Sequence, residues 1–285
     1  MVQNSVMKPN IDLNSPIVKM AIALSRQKAG IALNTKQTVE KAVIPIYHVP
    51  AGKRLAQIGS GVLLKIKNEY FILSASHVFD QIGTHCLLTG DGTNSPIQQL
   101  VGERFSTPRG PSGTHTDDPL DASAYHILSP LSDTFKSYAI TMDDFDDTLL
   151  DYPDSVFLSA GFRVKKSNMA HNKIKSEREA FPSFEIQESD YDLLKLDPSL
   201  NIALWHEYQM LLENNWQISP IPRGFSGGAI IRIFHDGNEY KQVLTGIVTE
   251  HRKKSKDIEG VLIGTRINVH MSAILKFMPE LFDEE

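Results

Sequence analysis

From residue 39 onward, apolar residues fall in short runs separated by clusters of Gly, Pro, Asn, Asp and Ser. Runs of this length with turn chemistry between them predict β-strands. In the first half they cover 42–49, 58–66, 70–74, 86–88, 97–101 and 122–128. Asn68 and Glu69 make a turn, so the second and third runs read as a hairpin. A polar loop rich in Gly and Pro covers 106–119. A second set covers 155–162, 184–187, 201–206, 229–234, 242–249 and 260–267. Two sets of six predict an all-β chain of two six-stranded antiparallel β-barrels. Helical patterning lies at the two ends. Asn14-Ser15-Pro16 is a helix start, and Ile17, Met20, Ala21 and Leu24 share the face expected to pack on the main domain. Residues 269–278 predict a closing helix stopped at Pro279. The expected units are an N-terminal extension with one helix (1–38), a first barrel (39–142), a second barrel plus C-terminal helix (143–278) and an acidic tail (279–285). Within the second unit, 165–179 reads as an exposed charged loop and 207–214 as a short helix. The acidic run 143–147 reads as a solvated connector, lacking the glycine and spaced ligands of a calcium loop.

Length and composition refine this picture. A chain of 285 residues, 41% hydrophobic, buries a substantial core. The formal charge of −5 gives no general drive toward nucleic acid. Cys86 is the single cysteine, so no intramolecular disulfide forms and a reducing, cytoplasmic setting is expected. No signal peptide or membrane-length apolar segment is read, so no membrane partner is expected. Arg252, Lys253, Lys254 and Lys256 form a basic stretch that reads as an exposed hairpin turn, without the aromatic platform of a nucleic-acid binder. The histidines show no zinc spacing. His48, His126 and His206 sit on strand-like runs and read as structural. No metal or cofactor is expected.

The candidate chemistry centres on Pro222-Arg223-Gly224-Phe225-Ser226-Gly227-Gly228. A serine among glycines lets main-chain N–H groups approach a ligand. Those of Gly224 and Ser226 could hold a developing oxyanion. Serine is a weak nucleophile until a base takes its proton, and the base needs an orienting partner. His77 follows directly on the apolar run 71–74, in the small-residue turn Ala75-Ser76-His77. Asp121, at the mouth of the run 122–128, is the candidate acid, with Asp117 and Asp118 as rivals.

Ser74-Ala75-Ser76-His77, the preceding Gly59-Ser60-Gly61-Val62, Asp121-Ala122-Ser123-Ala124, Gly224-Phe225-Ser226-Gly227-Gly228 and Gly246-Ile247-Val248 together resemble the chymotrypsin-like (trypsin-fold) serine proteases. In detail they look most like bacterial cytoplasmic trypsin-like peptidases. The resemblance spans residues 40–278, carried by short motifs. Ser123 departs from the usual alanine. The resemblance implies a serine endopeptidase acting on protein or peptide substrates without a cofactor. Its triad would be His77, Asp121 and Ser226, in that order along the chain. Its substrate pocket would involve Ser219, Pro220, Thr249, Glu250 and His251. Glu250 there would favour a basic side chain and His251 an acidic one, unless both only shape the rim. Phe225 stands where digestive members carry the aspartate that pairs with a newly cut N-terminus. No activation by cleavage is therefore expected, and control would fall to a regulatory protein partner or to the N-terminal segment. Two other readings stay open. One is a catalytically silent binding module on the same fold. The other is an α/β-hydrolase-type esterase, disfavoured because the run after Ser226 is β-like and only 59 residues remain.

Overall fold

A computed structural model describes residues 12–35, 37–49, 55–82, 87–90, 97–146, 155–164, 168–170, 173–206, 209–212, 215–219, 221–255 and 258–283. Helix α1 (Pro16–Asn34) leads into β1 (Val43–His48), β2 (Ala56–Ile66) and β3 (Glu69–Ala75). The short helix α2 (Ser76–Asp80) follows, then β4 (Leu87–Thr89), β5 (Gln98–Leu100), β6 (Gly102–Ser106) and β7 (Ala122–Ile127). After α3 (Asp133–Tyr138) come β8 (Val156–Phe162), β9 (Asn168–Ala170), β10 (Lys173–Lys175) and β11 (Arg178–Ser183). Helix α4 (Glu188–Leu194) precedes β12 (Asn201–Trp205), β13 (Gln209–Leu212) and β14 (Asn215–Ile218). The chain closes with β15 (Ala229–His235), β16 (Tyr240–Arg252), β17 (Val261–Arg266) and α5 (Ile267–Phe277).

The strands form two main antiparallel sheets. The first has seven strands in the order β5-β4-β1-β2-β3-β7-β6, the second six in the order β11-β8-β15-β16-β17-β12. The expected all-β core with flanking helices is present as two antiparallel sheets of seven and six strands rather than as two six-stranded barrels. β6 is an addition to the six strands read from the first half. Its sequence, Gly-Glu-Arg-Phe-Ser, buries only Phe105, so it carries little apolar pattern.

Between the sheets lies a shared core. Val62, Leu64, Phe71 and Leu73 of the first sheet join Leu158, Ala160, Ile231 and Leu244 of the second, with Ile267 and Ile274 of α5. Fully burying one such side chain stabilises by roughly 1.5–3 kcal/mol. The alternation in β2 and β3 sends the other side chains, Leu63 and Ile72, into a separate cluster with Ile44, Ile46 and Val78. Val78 belongs to α2, so this second cluster seats the helix that carries His77.

Several expectations are corrected. Helix α1 lies against β8 and β11, but not through the predicted face. Ile17 (75% exposed), Met20 (71%) and Leu24 (52%) face outward, while Ala32 is buried and Val18 and Ile22 are partly covered. The helix carries two apolar stripes, and the other one packs. The 165–179 segment is not all loop, since β9 and β10 pair with each other and β11 begins at Arg178. The run 184–187 contributes only an isolated bridge, Glu185 to Leu204. The helix expected at 207–214 is replaced by β13 pairing with β14. In the acidic connector, Asp146 is not solvated. It pairs with Arg232 at 3.4 Å, accepts from Thr245 at 3.1 Å, and its N–H donates to Leu244. Pro220, Cys86 and Lys256 lie outside the described residues.

Candidate active site

β3 is buried to its last residue and then turns into α2, placing His77 one residue into the helix. Pairing of β3 with β7 sets Ala75 opposite Ala122, so the residue before Ala122 arrives beside α2. That residue is Asp121. Its two carboxylate oxygens take both donors of one neighbour: Oδ1 accepts the His77 N–H at 2.8 Å, and Oδ2 lies 2.5 Å from His77 Nδ1. The carboxylate thus fixes the imidazole and selects the tautomer with the proton on Nδ1, leaving Nε2 able to accept one. The histidine side chain is 30% exposed and the aspartate 10%.

Asp121 is held in the left-handed region at φ +47°. A non-glycine residue there costs on the order of 1 kcal/mol and persists only where its surroundings hold it. Ser76 N–H donates to its carbonyl at 2.9 Å, and the preceding carbonyl of Leu120 accepts from the Thr265 hydroxyl of β17. Both sheets therefore position this aspartate. The rival carboxylates are engaged elsewhere. Asp118 accepts from Thr107 and from Leu120 N–H. Asp117 accepts the side-chain and backbone donors of Ser112, which hold its carboxyl below the usual range.

Ser226 sits in the turn before β15, half-buried. Its carbonyl accepts Ser60 N–H of β2 at 2.8 Å. A Cβ on Gly59 would lie 2.9 Å from that carbonyl and 2.7 Å from the Val78 side chain. Only a glycine at 59 lets the serine turn and α2 close on the same point of β2. Gly227 is tighter still. At φ +85°, a Cβ there would lie 1.9 Å from Ser60 O and 2.1 Å from Ser74 Oγ. The serine turn is thus seated on the middle of β2 and on the end of β3, the strand that delivers His77. Gly227 N–H donates to Val248 O, and Val248 N–H to Gly228 O, which ties the turn to β16. Phe225 is fully buried, stacked on Phe181 at 5.3 Å, and makes no ion pair.

The hydroxyl of Ser226 donates to Thr249 O at 3.5 Å. Among the described residues no hydrogen bond joins it to His77. The N–H groups of Gly224, at φ +101°, and of Ser226 make no hydrogen bond among the described residues, whereas Phe225 N–H and Gly228 N–H are both engaged locally.

The chain shares a fold with solved structures. Neuropsin, a serine protease expressed in the limbic system of mouse brain, superposes with a TM-score of 0.54 at 13% identity, covering 86% of this chain and 95% of neuropsin. The two antiparallel sheets with flanking helices resemble the chymotrypsin-like double-sheet fold. At this identity the likeness concerns the fold alone. No protein-family model and no curated protein matches the sequence.

The residues expected to line a substrate pocket are placed as follows. Ser219 is buried. Thr249 sits at an irregularity in the pairing of β16 with β17, its hydroxyl on Ile263 O. Glu250 is exposed and pairs with Arg252 along its own strand at 2.9 Å. His251 meets His206 edge-on at 4.8 Å. Burial first, then His206 and Lys253, push the His251 pKa down to about 4, against the opposing pull of Glu250. Near neutral pH His251 therefore offers an uncharged ring rather than a positive charge. Among the described residues no group of three or more His, Cys, Asp or Glu is arranged to hold a metal ion.

Sequence reading missed the seat of the serine turn. Gly59 and Gly227 were visible as motif residues, but that both are needed for close approach follows only from the packing. It also missed an open groove beside His77, lined by Asp80, Gln81, Arg109, Gly113, Thr114 and Thr116. The loop residues of that groove carry no pattern that marks them in advance.

Proposed function

We propose that the chain is a serine endopeptidase in which Ser226 is the nucleophile, His77 the general base and acid, and Asp121 the residue that orients His77. The two sheets are read as the paired barrels of the chymotrypsin arrangement, with the site in the cleft between them. The observation that carries the reading is the two-point hold of Asp121 on His77, through the backbone N–H and Nδ1. Asp80 holds His115 in a similar way, but that imidazole is buried with its Nε2 on Thr107 O, whereas His77 is 30% exposed and its Nε2 makes no hydrogen bond among the described residues.

In the proposed reaction, Ser226 Oγ forms a bond to the peptide carbonyl carbon while its proton passes to His77 Nε2. The imidazolium that results is stabilised by Asp121. The carbonyl oxygen becomes an oxyanion that accepts from Gly224 N–H and Ser226 N–H, each donor worth roughly 2.7–4 kcal/mol in measured systems. The C–N bond breaks as His77 returns the proton to the leaving amine. Water, deprotonated by the same histidine, then cleaves the ester and regenerates Ser226. The chemistry requires the Ser226 hydroxyl to leave Thr249 O and turn toward His77. Apo sites often have long or misaligned catalytic hydrogen bonds that tighten when substrate binds.

The hydroxyl's present bond to Thr249 O favours a second reading, a binding module that keeps the fold without turnover. Proteolysis of an unfolded casein substrate separates the two. The proposal expects cleavage that falls by about 10⁶ in Ser226→Ala or His77→Ala and by about 10⁴ in Asp121→Asn. Background cleavage that is equal in all four proteins would leave only the binding module.

A further inference from the structure

We propose that Arg109 makes the groove beside His77 a subsite for an acidic side chain of the substrate, on a residue flanking the scissile bond. This rests on the peptidase reading above and names a substrate preference for it. The groove runs from the His77 imidazole along Asp80 and Gln81 of the α2 region to Arg109, Thr114 and Thr116 of the loop 107–119. A peptide with its carbonyl at Ser226 and its leaving amine at His77 would run past His77, which borders this groove, so a flanking side chain comes within its reach.

The charges there are unbalanced toward positive. Asp80 is the groove's carboxylate, and it is already neutralised. Arg104 Nη1 reaches its Oδ1 at 2.9 Å, and His115 holds its Oδ2 through the ring and through its N–H. Burial opposes ionisation of Asp80, but the hydrogen bonds from His115 and Arg104 outweigh it and hold the carboxyl below its usual range. Asp117 and Asp118 on the same loop are committed to Ser112 and to Thr107 with Leu120, as described. Arg109 is exposed and makes no hydrogen bond or ion pair among the described residues. A guanidinium with its donors unused, at the lip of a groove, is suited to bidentate recognition of a carboxylate. The Thr114 and Thr116 side chains supply neutral polar lining.

The loop that carries Arg109 is built rather than loose. Gly113 N–H donates to Gly110 O and Gly110 N–H to Thr114 O, both at 2.9 Å, with Gly113 at φ +77° closing the turn. His115 pins the loop to α2 through Asp80 and, by Nε2, to Thr107 O at 3.0 Å. The backbone that carries the arginine is therefore held against α2, the helix that bears His77.

The test uses paired fluorescein-labelled octapeptide mixtures, each pair differing only in Glu or Gln at one fixed position. Binding is read by fluorescence anisotropy on full-length Ser226→Ala, which needs no turnover, and cleavage of the same mixtures is read on the wild type. The expected result is tighter binding of Glu over Gln at one position by about fivefold, the size set by a partly exposed ion pair. Adding Arg109→Gln should bring the ratio to about one, and Arg109→Glu should turn the preference toward a Lys mixture. The Glu preference should shrink as salt rises. A Glu/Gln ratio that is one at every position in Ser226→Ala, or that survives Arg109→Gln, overturns the subsite. Arg109-dependent binding without wild-type cleavage keeps the subsite and removes the peptidase reading. Cleavage without a Glu preference does the reverse.

Discussion

Replacing Gly227 by alanine tests the seat of the serine turn without touching any side chain of the site. Two costs are separable. At φ +85° an L-residue is strained by roughly 1–2 kcal/mol. The new Cβ would also stand 1.9 Å from Ser60 O and 2.1 Å from Ser74 Oγ. Ordinary contact is well beyond 3 Å, so the turn must move away from β2 by more than 1 Å. That movement breaks Ser60 N–H to Ser226 O and disturbs Ser74 Oγ to Ser60 O, both 2.8 Å. Each such bond contributes about 1 kcal/mol, and overpacking adds about 1–3 kcal/mol. Gly237→Ala is the control, since Gly237 sits at φ +102° in a hairpin turn with nothing within 4 Å of its would-be Cβ. It should lose the strain alone. Urea unfolding at pH 7, with unchanged m-values, should show Gly227→Ala about 3 kcal/mol less stable than Gly237→Ala. If the two variants differ by less than about 1 kcal/mol, the serine turn is not pressed on β2 and β3 as described.

Two other perturbations probe the frame. His270 of α5 is fully buried, with Nδ1 at 3.2 Å from Ser123 O and Nε2 without a partner among the described residues, and burial pushes its pKa down to about 4 despite that hydrogen bond. The unfolded chain takes up this proton near pH 6.5, the folded chain only near 4. Stability is therefore full above about 6.5 and falls as pH drops toward 4, by an amount on the order of 3 kcal/mol. His270→Asn, which keeps a donor for Ser123 O, should flatten that fall when unfolding is compared at pH 7 and 4.5; an unchanged acid slope would refute the assignment. Asp146→Ala should cost about 3 kcal/mol in urea unfolding, because it removes a carboxylate that faces the largely buried Arg232 guanidinium; a loss under 1 kcal/mol would mean the connector is solvated after all.

What the chain revealed in advance follows from where its signals are local. The hairpin of β2 and β3 is legible because its alternation feeds two cores, Leu64 and Phe71 on one side, Leu63 and Ile72 on the other. His77 and Asp121 are legible as strand-end residues, and their contact follows from the pairing of β3 with β7. β11 was hidden because it is an edge strand, where Arg178, Glu179 and Pro182 are tolerated. The wrong face of α1 was chosen because the helix has two apolar stripes, and only β8 and β11 decide between them. Asp146 was read as solvated because its partner, Arg232, lies 86 residues away. The groove at Arg109 was invisible for the same reason, being assembled by a loop closing on α2.

The central claim is that Ser226 is a nucleophile activated by His77. Intact-mass analysis after incubation with a fluorophosphonate, followed by peptide mapping, tests it most directly. One phosphonyl adduct on Ser226 is predicted in the wild type, absent in Ser226→Ala and slowed by several orders of magnitude in His77→Ala. A folded wild-type protein that takes up no adduct, or one that carries it elsewhere, would contradict the account.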